Sequence, residues 1–573
     1  MKTNKFIQAL VLISTISFSA QAGNTPSNNQ QVTNTVDEMK EAQRKAREEF
    51  EKYKNETVNN YNTYKDDVIA RYKAYRDSVL SEFVKFMNLP WTKTESEPAL
   101  PKPIDKSVGP EIIPLKENIQ PEPEIVVDNT PVVVPTPAPE PEPAPIIKEE
   151  PKQVIKEEPK PKKEKPQGSH INNSINKLPV KDVVDISGIN VNVQPVPFVP
   201  IIVPTDNEPD YFDFKFFGTT MSVRIDDSCI FTLSSVNNKG IASAMEKITT
   251  NETLNITLGD CIDLRDGYKL CDWAYLEMLV TLTSSYYGKE CNEATILAGY
   301  LYCMSGYRMR YGYHGNKVEV LFASDQLITD LPFFSLNSDG YRNYYTLNSD
   351  VSTIKICDYA FPNEKNMSLL ITDLPEFDEK PTNKNIKLHS YPIRFNYTVN
   401  QNLIDFFDTY PTPMTESDSY SKWVYYAKVP LSDTAKEQLY PSLKQAIAGK
   451  SELAAVNIIM DWIESYEYGY DSKVWGYDRA FFPDETIYYP SSDCEDHAIL
   501  FTRIVSDLLG LKTALIYYPG HLAAAVKFNG DVRGDYIMHN GEKFTVCDPT
   551  IYWRGAGRTM DKMNNAQAIL ILL

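Results

Sequence analysis

At 573 residues the chain exceeds the ~100–200 residues of a single domain, so several units are expected. Of its 39 prolines, 18 fall between Pro98 and Pro166, and that 69-residue stretch holds no tryptophan, tyrosine, phenylalanine or cysteine, which excludes a buried core there. With 58 basic against 77 acidic residues the net charge is −19, which argues against DNA or RNA as a partner.

Residues 1–22 combine Lys2 and Lys5, an apolar run from Phe6 to Phe18 and the small-x-small site Ala20-Gln21-Ala22, the pattern of a secretory signal peptide. Cleavage would start the mature chain at Gly23 and place it in the periplasm or outside the cell. The alternative is an uncleaved anchor, for which the run is short of the ~20 residues of a spanning helix. No later stretch is long and apolar enough to span a bilayer, so the product is expected to be soluble or peripherally held on the envelope.

Residues 36–90 are predicted to form one long amphipathic, coiled-coil-like helix. Phe50, Tyr53, Val58, Tyr61, Tyr64, Val68, Tyr72, Tyr75, Val79, Phe83 and Phe86 cover 36 residues in ten steps, the 3.6 period of an α-helix, and Pro90 stops it. Self-association or docking on an envelope partner would cover this stripe, and so would packing on the protein's own domains. Tyrosine and the 3.6 period both argue against a tight heptad seam.

Residues 91–170 read as a disordered linker rich in proline, glutamate and lysine. Acidic blocks (Pro139-Glu140-Pro141-Glu142-Pro143) alternate with basic ones (Lys160-Pro161-Lys162-Lys163), a composition that favours polyproline II at ~3.1 Å per residue, so on the order of 200 Å could be spanned. Residues 171–365 are expected to be β-rich, with strands over Val191–Val203 and Phe212–Phe231. Residues 366–448 read as a β-rich bridge.

The chemistry is concentrated in residues 449–573. Leu453 to Tyr466 is helical, followed by an aromatic segment with Trp475, Tyr488 and Tyr489. Ser491-Ser492-Asp493 offers N-cap residues for a helix opening at Cys494 and stopping at Gly510. A cysteine at a helix N-terminus has its thiolate favoured by unpaired amides and the dipole, whereas Glu495 and Asp496 oppose it, so a further positive partner is needed. His521 opens a strand after the turn Pro519-Gly520, and Asp548 ends another before Pro549. His521 lies 27 residues after Cys494, and Asp548 lies 27 after His521. Strand alternation puts Cys547 opposite Val546 and Phe544, as a packing residue. A helix-borne cysteine, a strand-borne histidine and a next-strand aspartate compose a Cys-His-Asp triad: imidazole takes the thiol proton, and the carboxylate fixes its tautomer.

Asp493-Cys494-Glu495-Asp496-His497-Ala498, Tyr518-Pro519-Gly520-His521-Leu522-Ala523 and Cys547-Asp548-Pro549-Thr550 together resemble the transglutaminase-like superfamily, in its bacterial papain-like branch. The resemblance covers under a quarter of the chain. It implies an α+β fold with the cysteine helix packed on an antiparallel sheet, Cys494 as nucleophile, His521 as base, Asp548 as orienting acid, and no cofactor. The family includes peptidases, amidases, acyl transferases and inactive binding copies, so fold alone leaves the reaction open. For the oxyanion, the Cys494 amide is the first donor, and Trp475, Tyr488 and Tyr489 are candidates for a second.

Other readings of these residues are weaker. A zinc site from Cys494, His497, Cys547 and Asp548 lacks a completing pair. His497, one turn from Cys494, has no strand-borne carboxylate to orient it and reads as a partly exposed helix histidine, and His539 sits in a Met-His-Asn-Gly hairpin. Cys291-Asn292-Glu293 precedes Ile296-Leu297 at the offsets by which Cys494 precedes Ile499-Leu500, so residues 291–350 read either as a degenerate, inactive second copy or as an unrelated helix-strand unit. Of the eight cysteines, Cys494 must stay free and Cys547 is expected to be buried. Cys261 and Cys271, flanking a Gly-containing loop, are the first disulfide to expect among the others.

Two functions follow. One is an exported cysteine enzyme cleaving, or transferring the acyl group of, a peptide or isopeptide amide in the cell envelope. The other is a catalytically silent scaffold that binds a peptide or glycan.

Overall fold

A computed structural model describes parts of residues 41–78, then 91–96, 177–186 and, apart from short stretches, 209–573, with two short strands in the linker. The signal segment, most of the linker, and Tyr61, Val68, Tyr72, Tyr75, Val79, Phe83 and Phe86 of the aromatic stripe lie outside the described residues. The chain divides into two compact units, Met1–Ala74 and Tyr75–Leu573.

The described part of the first unit is helical. Arg44 bridges Glu41 and Glu48, and Arg71 bonds Asp67, pairs three or four residues apart that suit a solvated helix. Phe50, Tyr53, Val58 and Tyr64 are exposed.

The second unit is mixed α+β and holds two six-stranded sheets, each extended by a strand from early in the chain: β1 (Thr92–Glu95) and β2 (Val180–Val184). In the first half, α1 (Asp272–Tyr286) and α2 (Asn292–Met304) precede the hairpin β3 (Met309–His314) and β4 (Lys317–Ala323). A short β5 (Leu327–Ile328), a second hairpin of β6 (Phe333–Leu336) and β7 (Arg342–Thr346), and β8 (Thr353–Ile356) follow. The sheet order is β1-β8-β3-β4-β7-β6, antiparallel throughout.

In the second half, β9 (Pro413–Met414) pairs back onto β5, and α3 (Lys422–Ala427), α4 (Glu452–Ile463) and α5 (Pro483–Tyr488) lead to α6 (Cys494–Leu509). Then come the hairpin β10 (Lys512–Tyr518) and β11 (His521–Lys527), the hairpin β12 (Tyr536–His539) and β13 (Glu542–Cys547), and β14 (Ala568–Leu572). The order is β12-β13-β11-β10-β14-β2, with β2 parallel to β14. Setting aside the added strands, the two halves are built alike: one helix, two hairpins and a closing strand, in the same spatial order, with the helix packed on the first hairpin.

Local sequence explains α6. Asp493 accepts the Glu495 amide, Asp496 accepts the Asp493 amide, and Gly510 ends the helix at a φ of 64° that L side chains rarely adopt. Ile499, Leu500, Ile504 and Val505 are fully buried against β10 and β11. Each is worth roughly 1.5–3 kcal/mol of burial, and truncating Leu500 to alanine would cost about 2–5 kcal/mol. The other face of the sheet buries Ala514, Ile516, Phe544 and Val546 with Leu178, Ile551 and Met560.

Several expectations need correcting. The stretch expected to be β-rich contains four successive helices between Asn238 and Met304. In the later ones apolar residues occupy nearly every face, so no clean helical period shows: Ala294 and Ile296 through Met304 are all buried in α2. The bridge holds the hairpin Pro381–Lys387 and Ile393–Asn400, but also the helix Asp433–Ile447, which Ser432 caps and which accommodates Pro441 in its interior. The linker is not wholly free of the globular part: Thr92–Glu95 is β1, Glu111–Ile112 pairs with Ile551–Tyr552, and Ile125–Val126 pairs with Ile393–Arg394. Cys261 and Cys271 are both free, buried thiols, one inside the helix Thr253–Gly267 and the other at the N-cap of α1, so the expected disulfide is not formed.

Candidate active site

Helix α6 and the two strands beside it carry Cys494, His521 and Asp548. Cys494 is the first residue of α6 and 1 % exposed, and the Leu522 amide of β11 donates to its sulfur. His521 opens β11 after a tight hairpin turn in which Gly520 takes a φ of 82°, a conformation suited to glycine at the third position of a turn. Its Nε2 lies 2.7 Å from Oδ2 of Asp548, and its ring stacks on Tyr518. The other Asp548 oxygen accepts the Thr550 amide at 3.0 Å and the Thr550 hydroxyl at 2.6 Å. His521 Nδ1 is buried and makes no hydrogen bond among the described residues.

Cys494 and His521 share the wall of a cavity of about 630 Å³, which is large enough for a peptide segment. Lys422 and Trp423 of α3 also line it, with Asp478, Arg479 and Glu495. Trp423 is 6 % exposed and its Nε1–H has no partner among the described residues. Nothing in the sequence signals this cavity-lining N–H, since α3 reaches α6 only through tertiary packing. Trp475, Tyr488 and Tyr489 are placed elsewhere, and none lines the cavity. Trp475 and Tyr489 clasp the Arg479 guanidinium, 4.3 Å above the Trp475 ring, while Tyr489 donates to Asp408 and Tyr488 to Gln401.

The electrostatics around the sulfur are acidic. Glu495 Oε2 lies 3.7 Å from Cys494 Sγ. Burial, then the Asp493 and Glu495 carboxylates, push the thiol well above its ordinary range, with the Leu522 amide opposing. Burial and Asp478 likewise push Glu495 well up, against Lys422. Lys422 lines the same cavity, its Nζ 2.5 Å from Asp478; burial opposes its charge, but Asp478 and Glu495 outweigh that and hold the ammonium protonated.

Oxygens of Asp471, Asp478 and Glu495, and of Asp471, Asp493 and Asp496, approach closely enough to hold a divalent cation. The Lys422 ammonium already supplies positive charge there, and Asp496 is committed to the Asp493 and Phe481 amides. No such group among the described residues includes His497 or Cys547. His497 is not partly exposed but fully buried, neither nitrogen hydrogen-bonded among the described residues, and burial lowers its pKa to about 4. Cys547 is buried in the same core as α6, its sulfur on the Thr545 carbonyl. His539 ends β12 at the Asn540-Gly541 turn.

The first half of the unit lacks this chemistry. Lys317 opens β4 as His521 opens β11, and Leu347 follows β7 as Asp548 follows β13. Asn292, rather than Cys291, is the first residue of α2. Its Oδ1 accepts the Val318 amide and its Nδ2 donates to the Asn316 carbonyl, each at 2.9 Å, so a neutral amide bridges the place where the second half carries a thiol.

Comparison with family models, curated proteins and solved structures finds no match to this chain.

Proposed function

We propose that the protein is an exported, transglutaminase-like cysteine enzyme that cleaves a peptide or isopeptide amide through Cys494, His521 and Asp548. The observation that carries this reading is the His521–Asp548 pair, which leaves Nδ1 without a partner among the described residues, on a side chain that lines the same cavity as Cys494. His521 Nδ1 takes the thiol proton as Sγ bonds to the substrate carbonyl carbon, and Asp548 stabilises the imidazolium. The oxyanion is met by the first-turn amide at Cys494 and by the Trp423 indole N–H. Collapse expels the amine, which takes the proton from His521, and water then releases the acyl group by the same path. Hydrolysis is preferred over transfer because nothing in the chain singles out an amine acceptor site. The first half is then a duplicated copy without catalytic residues.

A silent, binding-only head is the second reading. It is favoured by the thiol's 1 % exposure and by the carboxylates that oppose its ionisation. The two separate on one experiment: mass spectrometry of envelope peptides incubated with the protein and with Cys494→Ala, with and without an added amine. Products that require Cys494 support the enzyme, and an amine-bearing product would turn hydrolysis into transfer. Peptide binding without products from either protein supports the silent head.

A further inference from the structure

Resting on that acyl-enzyme reading, we infer that the cavity at Cys494 receives an aromatic side chain, phenylalanine, tyrosine or tryptophan, of the peptide presented to the thiol, and that Met414, Tyr420 and Tyr517 select it.

The charges in the cavity wall are already used by the protein itself. Lys422 lies 2.5 Å from Asp478, and Arg479 lies 2.7 Å from Asp408 and 2.5 Å from Glu485. Asp330 accepts the Thr412 amide at 3.3 Å, and burial with Asp478 pushes the Glu495 carboxyl toward its neutral form. A lysine or glutamate side chain entering here would lose its water and would have to break an internal ion pair to find a counter-charge.

Much of the remaining wall is made of rings. Phe407, Tyr426 and Tyr410 gather round Phe482, with centroids 4.4, 4.6 and 5.4 Å from it, and all four line the cavity. The Tyr410 hydroxyl is satisfied inside the protein, on the Leu369 carbonyl. Tyr420, Trp423 and Tyr517 form a second group in the same wall, with centroids 4.7 to 6.2 Å apart and planes 25° to 41° apart. Helix α3 joins the two groups, since Trp423 belongs to one and Tyr426 to the other.

Tyr420 and Tyr517 are only half-buried, so the second group keeps ring surface on which a further ring can pack at the usual spacing of about 4.5–7 Å. The volume of about 630 Å³ admits such a side chain together with the backbone that carries it.

The first half of the unit takes part in this wall. Met414, also half-buried, sits on β9 directly opposite Leu327 of β5, and Thr329, which follows β5, lines the cavity beside it. One half carries the thiol, and the other anchors the strand whose thioether lines the space that a ring would enter, a contact that sulfur makes readily.

The test uses dipeptidyl acyloxymethyl ketones, which alkylate active-site thiols, on the full mature chain, with labelling rates at Cys494 read by mass spectrometry. Phenylalanine, leucine, lysine or glutamate is placed in turn at each of the two positions nearest the ketone, with alanine at the other, and the all-alanine probe is the reference. At one of these positions the phenylalanine probe should react about tenfold faster than the reference, with leucine between them and lysine and glutamate no faster than alanine. Tyr420→Ala and Met414→Ala should each lower that phenylalanine-to-alanine ratio several-fold, and the ratio does not depend on the folded fraction. If another probe matches phenylalanine at both positions, or if neither variant changes the ratio, the inference is overturned and the thiol reading stands. Failure of every probe at Cys494, in protein that unfolds cooperatively, overturns both.

Discussion

Nε2 of His521 lies 2.7 Å from Oδ2 of Asp548, and both side chains are buried. Burial pushes the Asp548 carboxyl up, yet the His521 ring and the Thr550 bonds outweigh it and hold the group below the ordinary carboxylate range. An anion fixed in this way sets the imidazole's orientation and leaves only Nδ1 for the thiol.

Asp548→Asn keeps the Thr550 contacts but loses the charge that steadies an imidazolium. Turnover should fall on the order of 10²–10⁴, with KM little changed, in steady-state assays on whichever envelope peptide proves to be a substrate. The same carboxylate contributes stability that is complete above its unfolded value, about 3.9, and is lost as pH falls through its lower folded value. Denaturant titrations across acid pH should show this loss in the wild type and not in Asp548→Asn.

His497 produces a separate acid dependence at higher pH. Its pKa is lowered by burial from 6.5 to about 4, so the unfolded chain takes up a proton in that window that the folded one refuses. Stability is full above about 6.5 and declines as pH falls to about 4, by roughly 3 kcal/mol in all. His497→Leu should flatten the curve between those limits, and an unchanged slope would assign the effect to other groups.

Charges around the sulfur should tune its reactivity in opposite directions. Glu495→Gln removes the carboxylate 3.7 Å from Sγ and should raise the rate of iodoacetamide alkylation at neutral pH several-fold. Lys422→Met leaves Asp478 without its ammonium and should slow it. Equal rates for both variants would mean that burial alone sets the thiol's behaviour.

Trp423→Phe removes the indole N–H while leaving a ring to stack on Tyr420 and Tyr517. If the indole meets the oxyanion, kcat should drop by about 10²–10³, with thermal stability and KM nearly unchanged. A change confined to KM would make Trp423 part of substrate binding alone.

The half that carries Cys494, His521 and Asp548 was legible because its signals are local. The Asp493 cap, the Pro519-Gly520 turn and the alternation around Cys547 each act within a few residues, and together they place three side chains at the ends of α6, β11 and β13. Lys422, Trp423 and Asp478 were not legible, because a short helix without an apolar period reaches the thiol only after the chain has packed. Tyr477 and Phe482 of the aromatic segment do line the cavity, but Trp475, Tyr488 and Tyr489 do not: adjacency in sequence to Cys494 suggested the cleft, whereas Arg479 gathers Trp475 and Tyr489 into a cluster of their own. The pairing of Cys291 with Cys494 was one residue out. Apolar spacing aligned the two helices, but the side chain that reaches the neighbouring strand is Asn292.

Strand β2 lies parallel to β14, with Val180 opposite Ala568. During synthesis, then, the edge of the second sheet leaves the ribosome almost four hundred residues before the strand it must pair with. The first half, whose sheet needs nothing beyond Ile356, can close in the meantime. The second half must wait for Ala568–Leu572, so a nascent chain halted between Asp548 and Ala568 would carry Cys494, His521 and Asp548 on a sheet with neither its closing strand nor β2 in place.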